Sequence, residues 1–286
     1  GYHKPVLAIM RAAAVLRGEK GIPIEEIDLQ SVSGTFQSVG KSAIKVDASK
    51  LAQGKPVFTA DFDQQNMLYA KVLHSPYAHA LIEKIDTRKA KQLPGVVAVL
   101  TWQDLPRVVY STAGQSDPIP GPLDMFSLDN KVRFVGDRVA FIAAETPEIA
   151  EHALKLIKVR YKPLPVIIDP KLSMNPGAVC IHEEQEYVNF ADSNPKKNLA
   201  AKIRIDIGNV DKGFSDADEI FEAEFSVPKV QQAHIEPHVA VTYWDEDDRL
   251  VIRTSTQVPF HVRRILSPVL GLPIKRIRVI KPRIGG

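Results

Sequence analysis

Residues 250–286 read LVIRTSTQVPFHVRRILSPVLGLPIKRIRVIKPRIGG, and this stretch decides the fold of the region around it. The β-branched runs at 250–252 and 277–280 are typical of strands. Between them, apolar residues recur at helical spacing, so the stretch predicts strand, helix, strand. The apolar positions of this helix are Val262, Ile265, Leu266, Val269 and Leu270.

Proline and glycine residues mark the two ends of the predicted helix. Pro259 suits a first helical turn, whereas Gly271 and Pro273 suit a stop. Pro268 lies inside the helical pattern and removes one backbone hydrogen bond, so we expect it to shorten or kink the helix.

The charge of the chain is unevenly distributed. From Arg249 to Gly286 there are nine Lys or Arg and no Asp or Glu, whereas the other 28 of the 37 basic residues and all 34 acidic residues come earlier. One interpretation is that these cations solvate a helix face and an edge strand. The other is that they attract an anion beside the Gly285-Gly286 pair, where backbone amides allow close approach.

Composition excludes several classes of protein. Of the 286 residues, 44% are hydrophobic and 25% are charged, which is typical of a globular chain of roughly two domains. No apolar run approaches the ~20 residues of a membrane span, so we expect no membrane association. Basic residues without interleaved aromatic residues also argue against nucleic-acid binding.

Cysteine is almost absent from the chain. The single residue, Cys180, excludes an internal disulfide framework and an all-cysteine metal or iron–sulfur site in this segment. This usage fits a reducing compartment, and we expect a cytoplasmic location.

Strands alternate with short helices from residue 46 to 164, which indicates an α+β unit. The pattern is strand-like from Lys45 onward, and helices are expected after Asp86 and from Thr146-Pro147. The clearest predicted strands are Met67–Leu73, Ala80–Ile85, Val96–Leu100, Val139–Ala144 and a run that begins at Val159.

A second folded region follows a connection rich in proline and polar residues at 165–198. Residues 219–227 alternate apolar and acidic side chains and predict a half-exposed strand. Residues 233–244 predict a further strand, which the acidic turn at 245–248 joins to the strand that begins at Leu250. The basic stretch is therefore predicted to lie on the sheet of this region.

Residues 2–16 predict a helix with no capping residue ahead of it. Residues 18–45 contain several glycines and few periodic apolar residues, and they predict an ordered linker. We expect the chain to be a segment of a longer polypeptide.

His234, Glu236 and His238 occupy every second position in the strand predicted at 233–244, and a regular strand would point them to one face. Such a set could bind zinc or perform acid–base chemistry. The spacing matches no zinc signature and Pro237 disturbs a strand, so we expect a hydrogen-bonded or ion-paired cluster and assign no metal ligand.

No catalytic residue can be assigned from motifs, because the chain contains no G-x-S-x-G, G-x-G-x-x-G or P-loop pattern. Gln257 lies between a predicted strand and helix, and its amide can both donate and accept hydrogen bonds. It could cap the helix or contact a ligand, just as Gly285-Gly286 could be a simple turn.

Several separated stretches together resemble the molybdenum hydroxylases, the xanthine dehydrogenase and aldehyde oxidoreductase family. The residues that follow the last cluster cysteines in the family's second [2Fe–2S] domain are similar to GYHKPVLAIMRAA at 1–13. The family's α/β hammerhead domain is similar to three stretches, VDASKLAQGKPVFTADF at 46–62, LHSPYAHALIEKIDTRKAKQLPGVVAVLTWQDLP at 73–106 and VGDRVAFIAAETPEIAEHALKLIKVRYKPLP at 135–165. The start of its molybdopterin-binding domain is similar to QQAHIEPHVAVTYW at 231–244 and to residues 255–286.

The resemblance implies a fold and a division of the chain. The class is α+β, an α/β hammerhead domain followed by the start of a mixed α/β molybdopterin-binding domain. The implied parts are the end of the [2Fe–2S] helical domain at 1–17, a linker at 18–45, the hammerhead domain at 46–164, a connection at 165–198 and the first part of the molybdopterin-binding domain at 199–286.

The resemblance also implies a cofactor and residues that bind it. The catalytic centre would be a molybdenum ion held by a pyranopterin, with electrons leaving through [2Fe–2S] clusters in the preceding domain and, in some members, an FAD subunit. Gln257 matches the glutamine that contacts the metal's apical ligand. Gly285 and Gly286 match the start of the glycine loop that approaches the cofactor. The catalytic glutamate falls outside this segment, and Glu236 matches a position with a structural role.

The last thirty residues look most like the purine-hydroxylating branch, so the expected substrate is xanthine or a related purine. An aldehyde or another N-heterocycle is the first alternative, and a non-catalytic scaffold fragment is the second. The expected partners are the rest of the same polypeptide or a companion molybdopterin subunit, the [2Fe–2S] domain and an FAD subunit. The segment alone is expected to be inactive.

Overall fold

A computed structural model describes residues 3–19, 44–55, 58–112 and 121–285. The chain divides into two compact units, residues 1–55 and 56–286. The strands, numbered in chain order, are β1 Tyr69–His74, β2 Ala80–Asp86, β3 Val96–Leu100, β4 Lys131–Val132, β5 Arg138–Ala144, β6 Lys158–Pro163, β7 Ala240–Trp244, β8 Leu250–Thr254 and β9 Ile277–Ile280. The α-helices are α1 His3–Leu16, α2 Ala48–Ala52, α3 Arg88–Lys91, α4 Pro147–Leu156, α5 Val210–Ser215 and α6 Pro259–Leu270.

The first unit contains α1 and α2. The predicted N-terminal helix is confirmed as α1, whose apolar residues Val6, Ile9 and Met10 are exposed. The strand-like reading from Lys45 is wrong, because Ala48–Ala52 forms the short helix α2. Most of the predicted linker falls outside the described residues.

The second unit opens with two small antiparallel sheets. Strands β1, β5 and β3 form one sheet in that order, and β4, β2 and β6 form the other. The predicted strands in this part of the chain are confirmed, and the mixture of helices and sheets confirms the α+β class.

Helix α4 covers the first of these sheets. Its small buried residues Ala150 and Ala153 pack against Ile142 and its neighbours on β5. The helix begins as predicted, with Pro147 in its first turn and the Ile149 N–H donating to the Thr146 hydroxyl at 3.3 Å. This capping bond satisfies one of the donors that a helix start leaves free.

The connection at 165–198 is tied to the second sheet by charged side chains. The Arg133 guanidinium bridges the carboxylates of Asp129 and Glu184, and the buried Lys131 ammonium lies 3.1 Å from Glu183. Backbone hydrogen bonds between Leu123 and Val188 add a bridge. The largely buried side chains among them, Arg133, Lys131, Asp129 and Glu184, compensate one another, which is the condition for charges to be tolerated away from water.

The third sheet has the order β7, β8, β9. Strands β7 and β8 form the predicted hairpin, and β9 runs parallel to β8 after the crossover helix α6. Helix α6 ends at Gly271, which adopts a left-handed φ of 64° as a helix stop requires. The helix continues through Pro268 to Leu270, so Pro268 does not end it.

Two strand predictions in this region are wrong. Residues 219–227 form no strand, and Phe221 and Phe225 are 88% and 89% exposed. The strand predicted at 233–244 begins only at Ala240. Alternation favours a strand only where a neighbouring strand supplies backbone hydrogen bonds, and the described part of the chain supplies none here.

The described helices include none that is both long enough and apolar enough to cross a bilayer.

Candidate functional site

Three chain segments meet at one edge of the third sheet. The carboxyl ends of the parallel strands β8 and β9 lead into residues 255–258 and 281–285. Strand β7 is antiparallel to both, so its amino end and the preceding residues 232–239 lie at the same edge, with Ala240 opposite Thr254. The edge beyond the carboxyl ends of parallel strands is where open α/β sheets bind ligands.

Side-chain hydrogen bonds hold two of these segments in place. The Thr254 hydroxyl donates to the Val239 carbonyl at 3.0 Å, which joins the end of β8 to the start of β7. The Val258 N–H donates to the Thr256 hydroxyl at 3.1 Å and fixes the turn before α6. The turn that carries Gln257 is therefore ordered by its own neighbours.

The three segments enclose a cavity of about 390 Å³, which we call the edge cavity. Its lining is rich in amide, hydroxyl, imidazole and carboxylate groups. The lining residues are Gln232, His234, Glu236, His238, Ser255, Thr256, Gln257, Val258 and Ile284. Such a set recognises a ligand through many hydrogen bonds, the usual role of the few polar groups in a binding pocket.

Glu236 joins the first segment to the last. The Gly285 N–H donates a hydrogen bond of 2.7 Å to Glu236 Oε2. A β-carbon added at Gly285 would lie 2.9 Å from the Glu236 β-carbon, so only glycine allows this approach. The neighbouring Ile284 thereby forms one wall of the edge cavity.

Two buried polar atoms at the edge cavity are unsatisfied. Glu236 Oε1 and His234 Nδ1 are inaccessible to solvent and find no hydrogen-bond partner among the described residues. A buried polar atom without a partner costs roughly 1–3 kcal/mol, so both atoms would gain from a small rearrangement that gives them one.

The structure brings two of the three predicted cofactor-binding residues to this place. Gln257 lines the edge cavity and Gly285 abuts it through Glu236, whereas Gly286 lies outside the described residues. Helix α6 begins after Val258 without a side-chain cap, so the alternative in which Gln257 caps the helix is not observed. Its exposed amide makes no hydrogen bond to other described residues and is available to a ligand.

The predicted strand-like alternation of His234, Glu236 and His238 is wrong, because the backbone bends at Ile235 and Glu236. The three side chains nevertheless line the same cavity, with the two imidazole rings 5.2 Å apart between centroids. Across the described ranges, no group of three His, Cys, Asp or Glu residues is arranged to hold a metal ion.

The described basic residues of 249–286 do not line the edge cavity. None of the nine cations of 249–286 is among the described residues that line the edge cavity. Arg249 pairs with the acidic turn through Asp245 and Asp247, and Arg253 lies over the Phe62 ring at 4.5 Å. Arg276 is likewise engaged, by Asp248 and the Trp244 ring. Attraction of an anion beside Gly285-Gly286 by the other basic residues stays a prediction.

Several lining residues had no signal of their own in the sequence. Ser255, Thr256, Gln232 and Ile284 are ordinary residue types in loops. Their one shared property is position, since each lies within a few residues of Gln257, Glu236 or Gly285. A strand order would have been needed to find them.

Two family models match the chain. Residues 53–165 match the α/β hammerhead domain of aldehyde oxidase and xanthine dehydrogenase, and residues 190–286 match a molybdopterin cofactor-binding domain. The chain belongs to the molybdenum hydroxylase family, the family of xanthine dehydrogenase and aldehyde oxidase.

Relatives in this family agree along most of the chain. The "Probable hypoxanthine oxidase XdhD" of Escherichia coli K12 is 40% identical over 276 residues, which covers 88% of this chain and 29% of the relative. The "Xanthine dehydrogenase molybdenum-binding subunit" of Escherichia coli O157:H7 is 32% identical over 247 residues, covering 85% and 31%.

A solved structure of the same family has the same fold. The reconstituted CO dehydrogenase of Oligotropha carboxidovorans superposes with a TM-score of 0.72 at 32% identity, covering 86% of this chain and 31% of that one. This molybdenum hydroxylase chain thus spans about three tenths of the length of each of these relatives.

Proposed function

We propose that this chain is part of the large molybdenum-cofactor subunit of a hydroxylase that oxidises a purine such as xanthine or hypoxanthine with oxygen derived from water. The observation that carries the proposal is the edge cavity, where the free amide of Gln257 and the close-approach position of Gly285 lie at one sheet edge. Support for a purine comes from the printed names of relatives, a hypoxanthine oxidase and a xanthine dehydrogenase subunit.

The residues at the edge cavity fit a molybdenum pyranopterin in one respect and not in another. Amide, hydroxyl and imidazole groups match the hydrogen-bonding edges of a pterin. The lining side chains include no Lys or Arg among the described residues, so a phosphate would depend on backbone amides or on other parts of the protein. When bound, the cofactor would supply the redox chemistry.

In this proposal the residues of this chain bind and orient the cofactor. The Gln257 amide would donate a hydrogen bond to the bound cofactor, and Gly285, with the neighbouring Gly286, would let the backbone approach the cofactor closely. Glu236 has a structural role, since it holds the Gly285 amide. No residue of this segment is proposed as the catalytic base.

Electrons would leave through [2Fe–2S] clusters in the preceding helical domain, with FAD in a partner subunit as a further carrier. The domain division proposed from the sequence, with a hammerhead domain at 46–164 and a cofactor-binding part from 199, is retained. We further propose a cytoplasmic location, which fits the single cysteine, Cys180.

Metal analysis of the intact protein tests the proposal first. About one molybdenum and about four irons per protomer are expected for one cofactor and two [2Fe–2S] clusters. A protein without molybdenum would instead be a non-catalytic scaffold. Turnover of xanthine, hypoxanthine, an aldehyde and nicotinate, compared side by side, separates a purine hydroxylase from the other activities of the family.

The Gln257→Ala variant tests the contact itself. Turnover of the best substrate is expected to fall by about 10–100-fold, the usual effect of removing a residue that supports a metal centre. Gln103→Ala, an exposed glutamine outside the edge cavity, is the matched control and should leave turnover unchanged. Equal turnover in Gln257→Ala and wild type would remove Gln257 from the site.

A further inference from the structure

The basic stretch builds a second concave surface, next to the edge cavity but separate from it. Arg249, Arg263, Lys275 and Arg278 line a groove of about 330 Å³, which we call the basic groove. No described residue lines both the groove and the edge cavity, although the two meet the chain at the consecutive residues Val258 and Pro259. The proposed function does not use this groove.

The cations of the basic groove are only partly neutralised. Arg249 is paired with Asp245 and Asp247, and the Arg263 Nε–H donates to the Ile274 carbonyl at 2.9 Å. The exposed side chains of Lys275 and Arg278 form no ion pair or hydrogen bond with any described residue. Three of the four cations therefore face the groove without a carboxylate partner.

The groove also has an apolar floor and rim. The buried Ile277 and the half-buried Val279 of β9 form the floor. Phe260, on the first turn of α6, is 77% exposed beside them. An exposed aromatic residue bordered by arginines is typical of the residues that dominate protein interfaces.

We propose that the basic groove binds an acidic polypeptide segment of a partner protein, one that carries an aliphatic or aromatic side chain among its carboxylates. Carboxylates match the forked donors of Arg263 and Arg278, and an apolar side chain covers Phe260 and the floor. The chain already shows this pairing in its own acidic turn, where Asp245 and Asp248 engage Arg249 and Arg276.

A small inorganic anion fits the groove less well. It would satisfy the charges and leave Phe260 and the floor in water, so the apolar half of the surface would gain nothing. Complementary charge across such a surface mainly sets partner choice and the rate of association. The groove thus fits an acidic peptide better than a free phosphate.

Binding of a short fluorescent peptide, in which glutamates flank leucine and phenylalanine, to the intact protein tests the proposal. Wild type is expected to bind the peptide at low salt, to bind a version with glutamine in place of glutamate much more weakly, and to lose affinity as salt is added. The Lys275→Glu and Arg278→Glu double variant is expected to raise Kd by about tenfold or more.

The matched control reverses the charge of two other exposed lysines, through Lys158→Glu and Lys162→Glu on β6. It should change Kd by less than about twofold. Should the groove variant fail to fold, Lys275→Gln with Arg278→Gln replaces it. The proposal is overturned if wild type does not bind the peptide, or if both double variants lose affinity equally. It is also overturned if pyrophosphate or a single-stranded oligothymidine binds as well as the peptide.

Discussion

The backbone N–H of Gly285 donates to Glu236 Oε2 at 2.7 Å, although the two residues are 49 positions apart in sequence. This bond joins the segment before β7 to the segment after β9. It holds Glu236 beside Gly285, next to Ile284, and both Glu236 and Ile284 line the edge cavity together with Gln257.

Replacing Glu236 by alanine should release this wall. We expect faster amide hydrogen exchange at Gly285 and loss of bound molybdenum from the intact protein, because the amide loses its acceptor. Glu236→Gln retains an acceptor oxygen and should keep the slow exchange. Hydrogen exchange is measured independently of turnover, so unchanged exchange in Glu236→Ala would disprove the anchoring role even in a protein that lacks the cofactor.

Gly285→Ala should destabilise the same contact from the other side. The new β-carbon would lie 2.9 Å from the Glu236 β-carbon, and overpacking of this kind costs about 1–3 kcal/mol. Gly213 of α5 has nothing within 4 Å of an added β-carbon, so Gly213→Ala should be neutral or stabilising by up to about 1 kcal/mol. Urea unfolding of the two variants measures the difference, and equal stabilities would contradict the close approach.

Arg133→Met should cost about 1–3 kcal/mol of unfolding free energy, because it removes charged hydrogen bonds to Asp129 and Glu184. The loss stays in this range because Asp129 keeps its ion pair with Arg107 and Glu184 keeps Lys131 at 3.6 Å. The guanidinium side chain is only 11% exposed. Arg160→Met is the matched control, since its ion pair with Glu83 is largely exposed and should contribute less than about 1 kcal/mol. If the two variants unfold at the same denaturant concentration, the largely buried Arg133 ion pairs contribute no more to stability than the exposed Arg160 pair, and the prediction fails.

His182 should make stability depend on pH. Burial, with a smaller contribution from the nearby Arg133 charge, lowers the pKa of His182 below its ordinary value of 6.5. The unfolded chain therefore binds a proton that the folded chain rejects. The contribution of His182 to stability is complete above about pH 6.5 and is lost as the pH falls below that value.

The measurement compares unfolding free energies of wild type and His182→Gln between about pH 7.5 and pH 5. The variant should show a shallower decline toward acid. The exposed His152, changed to Gln, serves as control and should keep the wild-type slope. A slope in His182→Gln identical to wild type would show that His182 does not titrate differently in the two states.

The strands and helix of 250–280 could be predicted because their signals are local. The spacing of apolar residues, the proline in the first turn and the glycine at the end all indicate the same helix. The structure has the predicted strand, helix and strand between Leu250 and Ile280. Residues 219–227 had an equally good alternation and form no strand. A strand is stable only when a second strand pairs with it, and the sequence of one segment does not show which other segment will pair with it.

The candidate site was only partly predictable. Gln257 and Gly285 came from the family resemblance, and their approach to one cavity depends on the parallel pairing of β8 with β9. The direction of the basic side chains could not be inferred from charge alone. Arg253 stacks on Phe62, which lies almost two hundred positions away in the chain. The orientation of such a side chain is determined by tertiary packing.

The parallel register of β8 and β9 imposes an order of assembly. A parallel neighbour can dock only after the whole of α6 has crossed over, and the Glu236 carboxylate meets the Gly285 amide only once that docking is complete. A prosthetic group bound at the edge cavity, as proposed above, would therefore meet a complete binding surface only after β9 has docked beside β8.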